Sequence, residues 1–157
     1  MELQANKNKN PLISEIREQF RGSNCKAVIP ISGDKASNLF AALCTEALGP
    51  DRVLGVLMPN GYQRNMPDCY QLMEHLHISG MIINIGGAVE PLHRQLSESG
   101  IQSTYNLDEQ LLPGIRRAVV DAVAQATNGK TVHFREPLSQ QAMTELGHAL
   151  GLPKNLM

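Results

Sequence analysis

The residues best suited to chemistry lie in one short run, Ser32-Gly33-Asp34-Lys35-Ala36-Ser37, between an apolar stretch and the start of a helical pattern. Backbone N–H groups at a helix N-terminus are unpaired and carry the positive end of the helix dipole, so they attract phosphate. Ser32, Gly33 and Ser37 would put small side chains and hydroxyls around such a site, and Lys35 would add a cation. The same residues also make a plain strand-to-helix turn, in which Asp34 or Ser37 caps the helix for about 1 kcal/mol. The run matches neither the GxxxxGK[ST] nor the GxGxxG phosphate pattern, and spacing alone leaves both readings open.

Other reactive side chains form no constellation. His75 and His77 stand one residue apart near a helix end, a spacing that points them away from each other and argues for surface roles over metal ligation. Ser37 has no histidine near it in sequence, so no Ser-His-Asp set declares itself. Cys25, Cys44 and Cys69 are odd in number and widely spaced, without a CxxC pair. That disfavours disulfide scaffolds and zinc knuckles and fits a reducing, cytoplasmic setting. Cys44, among alanines and leucines, reads as core.

The elements that must position the loop follow from patterning. A chain of 157 residues with 42% hydrophobic and 18% charged residues suggests one globular domain. A net charge of −1 and 4% aromatic content argue against a nucleic-acid partner. No apolar run approaches the roughly 20 residues needed to cross a bilayer, so no membrane association is expected. Residues 1–10 are polar and read as a flexible lead-in to a single domain over 11–157.

Leu12, Ile13, Ile16 and Phe20 repeat at helical spacing and Gly22 follows as a stop. AVIPIS is a strand whose Pro30 is awkward in a sheet centre, and RVLGVLMP (52–59) is a buried strand. MIINIGG (81–87) and residues 130–134 give the third and fourth strands. Helices are expected over 36–48, 67–77, 88–99, 111–127 and 139–150, with Ser139 as the N-cap of the last. Strand and helix alternate throughout, which predicts an α/β three-layer sandwich with a parallel sheet of about four strands. The loop from Ser32 to Ser37 then sits beyond the carboxyl end of the first strand, where ligands bind in such folds.

The run IPISGDKASNLFAALCTEALGPDRVLGVLMPNG resembles the ATP-pyrophosphatase loop and second strand of the ammonia-dependent NAD synthetases. In that family a strand runs into SGGxDS, then into a helix of AALxxEALG type and a VLGVLMP strand. MEHLHI, AVAQATNGK and LGHALGLP continue the likeness in order along most of the chain. The resemblance implies a Rossmann-like adenine nucleotide alpha-hydrolase fold, usually dimeric. It also implies formation of NAD from deamido-NAD, ATP and ammonia, with magnesium, through an adenylated intermediate. By the same analogy Leu57 and Met58, ending the second strand, would lie by the adenine ring, although ordinary strand-end core fits them equally.

The chain departs from the family where the chemistry belongs. Asp34 replaces the second glycine of SGGxDS and Ala36 replaces its aspartate, which in the family helps hold magnesium. Alanine supplies no ligand atom, so that coordination is lost. The Asp34 carboxylate is expected to occupy the helix-terminal N–H groups itself and to repel polyphosphate. A glycine there would reach positive φ freely, whereas aspartate does so at a cost. At Pro113-Gly114-Ile115-Arg116-Arg117 the family reads RxRM, so Gly114 falls on the first arginine and Arg116 on the second. Arg116 is then a substrate or interface contact, or simply part of a solvated helix face. After Val132 the family's TxNxSE-type segment and mobile loop are missing, and Val132-His133-Phe134-Arg135-Glu136 leads straight to Pro137-Leu138. The expectation is a shortened, degenerate member with impaired amidation, or a non-catalytic nucleotide-binding or dimeric interaction protein of the same fold.

Overall fold

Two apolar runs build the centre of the sheet. Strand β1 (Lys26–Ile31) and strand β2 (Val53–Leu57) pair in parallel, from Ala27 opposite Val53 to Ile31 opposite Leu57. Every residue of β2 is buried, as a strand covered on both faces requires. Strand β3 (Ser79–Ile82) pairs with β2, and β4 (Gly129–Lys130) pairs with β1, all parallel, in the order β3-β2-β1-β4. The computed structural model describes residues 10–60, 66–100, 107–133 and 138–157, with residues 107–110 by backbone alone. Residues 1–9 of the lead-in expected over 1–10, Gly61 and the 134–137 segment lie outside the described residues.

The helices are α1 (Pro11–Gln19), α2 (Lys35–Leu48), α3 (Met66–Leu76), α4 (Gly86–Glu98), α5 (Leu107–Ala126) and α6 (Gln140–Ala149). Alternate strand residues divide the core into two layers. Ala27, Ile29, Ile31, Val53 and Leu57 face a cluster with Ile13 and Ile16 of α1, Leu39 and Leu43 of α2 and Leu72 of α3. Val28, Leu54, Val56 and Met58 face Val120, Val123 and Ala124 of α5, with Val89 of α4 beside them. Each large side chain fully removed from water contributes roughly 1.5–3 kcal/mol. The expected three-layer α/β architecture is therefore present.

Several boundaries move. The third strand runs from Ser79 to Ile82, earlier than 81–87, because Gly86 and Gly87 form the first turn of α4. The fourth strand stops at Lys130, and residues 131–133 leave the sheet. That short β4 explains Pro30. Pairing between β1 and β4 covers only Lys26 and Ala27, so β1 is an edge where Pro30 sits and the missing N–H deprives no neighbour.

Candidate functional site

The chain runs outward from β1 to β2 and β3 and then returns to place β4 on the other side of β1, so the sheet's switch point lies between β1 and β4. Clefts form there because consecutive connections leave in opposite directions. A groove of about 950 Å³ opens at this point. It is lined by Ser32, Asp34, Ala36 and Ser37 after β1, by Thr131 and His133 after β4, and by Arg116 and Asp121 of α5. The structure thus brings Arg116 to the same groove as the loop. Apolar side chains such as Leu39, Phe40 and Val120 complete the lining.

The loop's shape follows from two residues. Gly33 takes φ +87°, a conformation open to glycine at no steric cost. Asp34 is the N-cap of α2, with extended backbone at φ −78° and ψ 164°. Aspartate therefore carries no backbone strain at the family's second-glycine position, contrary to the positive-φ cost expected from the sequence; Gly33 alone makes the left-handed turn. One Asp34 carboxylate oxygen accepts the Ser37 N–H at 2.7 Å and the other accepts the Ser32 hydroxyl at 2.6 Å. Ser37 Oγ accepts the Ser32 N–H at 3.1 Å and donates to the Pro30 carbonyl at 3.2 Å. A carboxylate thus already fills the position at the helix N-terminus where an anion would be drawn. Asp34, Lys35 and Ala36 are exposed, and Ser32, Gly33 and Ser37 are half-buried.

The remaining expected residues are placed as follows. Leu57 and Met58 are buried, 1% and 3% exposed, on opposite faces of the sheet, and they are absent from the groove lining. Gly114 is exposed on α5. His75 contacts the Gly151 carbonyl at 3.0 Å, and His77 ends α3 with φ +57°, so the two histidines serve the end of one helix. Cys44 is fully buried and its thiol is pushed up to about 12 by burial. Burial raises Cys69 too, and the negative charges of Asp68 and Asp34 add to the effect. Among the described residues, no group of three or more His, Cys, Asp or Glu side chains is placed to hold a metal ion. With Ala36 lacking a ligand atom and Asp34 engaged by Ser32 and Ser37, the loop does not fit a magnesium site.

His133 went unrecognised in the sequence. Gln19 at the end of α1 holds it by both backbone groups, donating to its carbonyl at 2.8 Å and accepting its N–H at 3.2 Å. His133 Nε2 lies 3.1 Å from Thr131 Oγ1. A clamp across that sequence separation leaves no local pattern to read. A second groove of about 910 Å³ lies beyond β2 and β3, with Asn60, Asn84, Gly86, Glu90, His93 and Arg94 in its lining.

Comparison with known proteins agrees with this architecture. The NAD synthase family model matches residues 9–133. The NH(3)-dependent NAD(+) synthetase of Thermococcus sibiricus is 36% identical over 86 residues, covering 54% of this chain and 34% of its own length. The glutamine-dependent NAD(+) synthetase of Thermotoga maritima is 40% identical over 77 residues, 47% of this chain and 13% of that protein. The chain thus spans about a third or less of these relatives. Among solved structures, the NH3-dependent NAD synthetase of Campylobacter jejuni aligns with a TM-score of 0.82 at 20% identity, over 99% of this chain and 76% of that one. The NMN synthetase of Francisella tularensis aligns with a TM-score of 0.75 at 21% identity, over 98% and 73%. These structural likenesses establish the fold, and the family match over most of the sequence establishes descent: the chain belongs to the NAD synthase family.

Proposed function

We propose that this chain is an NAD synthase-family protein in which ATP-dependent amidation of deamido-NAD is severely impaired, and whose phosphate loop binds nucleotide weakly or not at all. One observation carries the reading. The Asp34 carboxylate already holds the Ser37 N–H and the Ser32 hydroxyl, so an incoming phosphate would have to displace an anion from its own helix terminus. Ala36 removes the aspartate that the family pattern provides for magnesium. Loss of a single stabilising donor in a reacting site costs roughly two to three orders of magnitude in rate. Two losses in one loop leave little synthesis.

Arg116 on the groove wall is, in this reading, the contact retained for substrate or interface. Leu57 and Met58 stay core, because an adenine pocket there would require opening both packed layers. The test combines deamido-NAD, ATP, magnesium and ammonia with the purified chain and measures NAD formation. No NAD above background is expected, together with no ATP-dependent rise in melting temperature. Turnover at rates typical of enzymes, about 1 per second or faster, would end the proposal.

A homodimer is the second reading, favoured by the edge strand β3. Ile82 is 54% exposed there, and the strand Ser79–Ile82 carries no charge to discourage pairing. Light scattering at twice the chain's 17.2 kDa would support it, and a monomer over a wide concentration range would refute it.

A further inference from the structure

Asn38, in the first turns of α2, is 1% exposed. Its side-chain nitrogen donates to the Leu156 carbonyl at 2.8 Å and toward the Gly33 carbonyl at 3.4 Å. Two flanking acceptors fix the amide orientation, since only the NH2 end can serve both. The Asn38 Oδ1 is buried without a hydrogen-bond partner among the described residues. An unpaired buried acceptor costs free energy that an apolar side chain would avoid. Only a donor at this position can bridge the two carbonyls.

One of those carbonyls belongs to the loop and the other to a segment far along the chain. Gly33 is the left-handed pivot of the loop. Leu156 belongs to a C-terminal segment held down along its length. Leu152, Leu156 and Met157 are 5%, 1% and 5% exposed within the larger core layer. Met157 fills the space over Gly147, where an added Cβ would meet it at 2.6 Å. Asn155 and Gln71 of α3 exchange amide hydrogen bonds at 2.7 and 3.4 Å.

We propose that the segment Leu152–Met157 positions the loop through Asn38, so that its seating and the Asp34-capped form of the loop are one coupled state. This coupling holds whether or not the loop takes a nucleotide, and so goes beyond the proposed function. It is reciprocal: whatever loosens the segment loosens the loop, and the converse. A partner that lifted the segment would therefore act on the groove from a distance.

Residue-resolved amide exchange on the full chain tests it. In Asn38→Ala, exchange should rise about three- to tenfold, the weight of one hydrogen bond, at Ser37 in the loop and at Leu156 and Met157 in the segment. Interior amides of α2 such as Leu43 should not follow. Asn155→Ala frees the segment without touching Asn38 and should raise exchange at Ser37 as well. Asp34→Gly should raise it at Leu156. Val123→Ala, a change in the opposite core layer, should leave the ratio of these rates to that of Leu43 unchanged. If Asn38→Ala fails to fold, the Asn155 and Asp34 variants decide the matter alone. Faster exchange confined to the altered end in those variants would overturn the coupling.

Discussion

Replacing Asp34 with alanine isolates what its carboxylate does. The side chain accepts the Ser37 N–H at 2.7 Å, and its residue is the N-cap of a 14-residue helix. Loss of such a cap costs roughly 0.5–2 kcal/mol, centrally about 1. Asp34 is exposed, so water replaces the lost partner of the Ser32 hydroxyl and no desolvation penalty is added. For a domain of this size about 1 kcal/mol lowers Tm by roughly 2–4 °C. Glycine is itself a fair N-cap and should cost only a few tenths of a kcal/mol. Asparagine keeps an acceptor oxygen and loses only the charge favoured at the dipole, about 0.3–1 kcal/mol. Thermal and urea unfolding of the three variants should therefore place alanine lowest, with asparagine and glycine between it and the parent. An alanine variant as stable as the parent would refute the capping role, and with it the claim that the carboxylate occupies the anion position.

Other expectations concern the scaffold. Gly129→Ala should destabilise by about 1–3 kcal/mol, because a Cβ there would meet the backbone oxygen of Lys26 at 2.9 Å and Val28 Cγ2 at 2.7 Å in the shortest strand pairing; urea unfolding measures it, and an unchanged midpoint would mean that β4 yields freely. Leu72→Ala, removing a fully buried side chain, should cost roughly 2–5 kcal/mol by the same assay, and a loss under about 1 kcal/mol would contradict the packing. The Cys44 thiol, held up to about 12 from its ordinary 9.0, keeps its proton in the folded state when the unfolded chain has lost it. Its contribution is complete below 9.0 and fades as pH rises toward 12. Cys44→Ala should accordingly be less stable near neutrality yet show a shallower decline in alkali, and a parallel decline would refute the linkage.

The sheet was legible because β1 and β2 are continuous apolar runs bounded by turn residues, and the helices because their caps are explicit at Asp34, Ser139 and Gly49. Boundaries failed where glycine serves two masters. Gly86 and Gly87 follow an apolar run and look like a strand end, but Asn84 Oδ1 accepts the Gly86 N–H at 2.9 Å and starts a helix. The extent of β4 was unreadable, because Val132 is buried in the core without being in a strand. The loop's chemistry was visible in Asp34 and Ala36, including the capture of a helix-terminal N–H, that of Ser37, by the carboxylate. What the sequence could not supply were contacts across more than a hundred residues, Gln19 with His133 and Asn38 with Leu156. Neither pair shares a period or a motif.

Restoring the family pattern in this loop is the most direct test of whether Asp34 and Ala36 are what closes it. Calorimetric titration with ATP and magnesium would be run on the parent chain and on Asp34→Gly with Ala36→Asp. No measurable heat is expected from the parent, and a clear gain of binding from the double variant. Micromolar binding by the parent, or no gain on restoring both residues, would contradict the central claim.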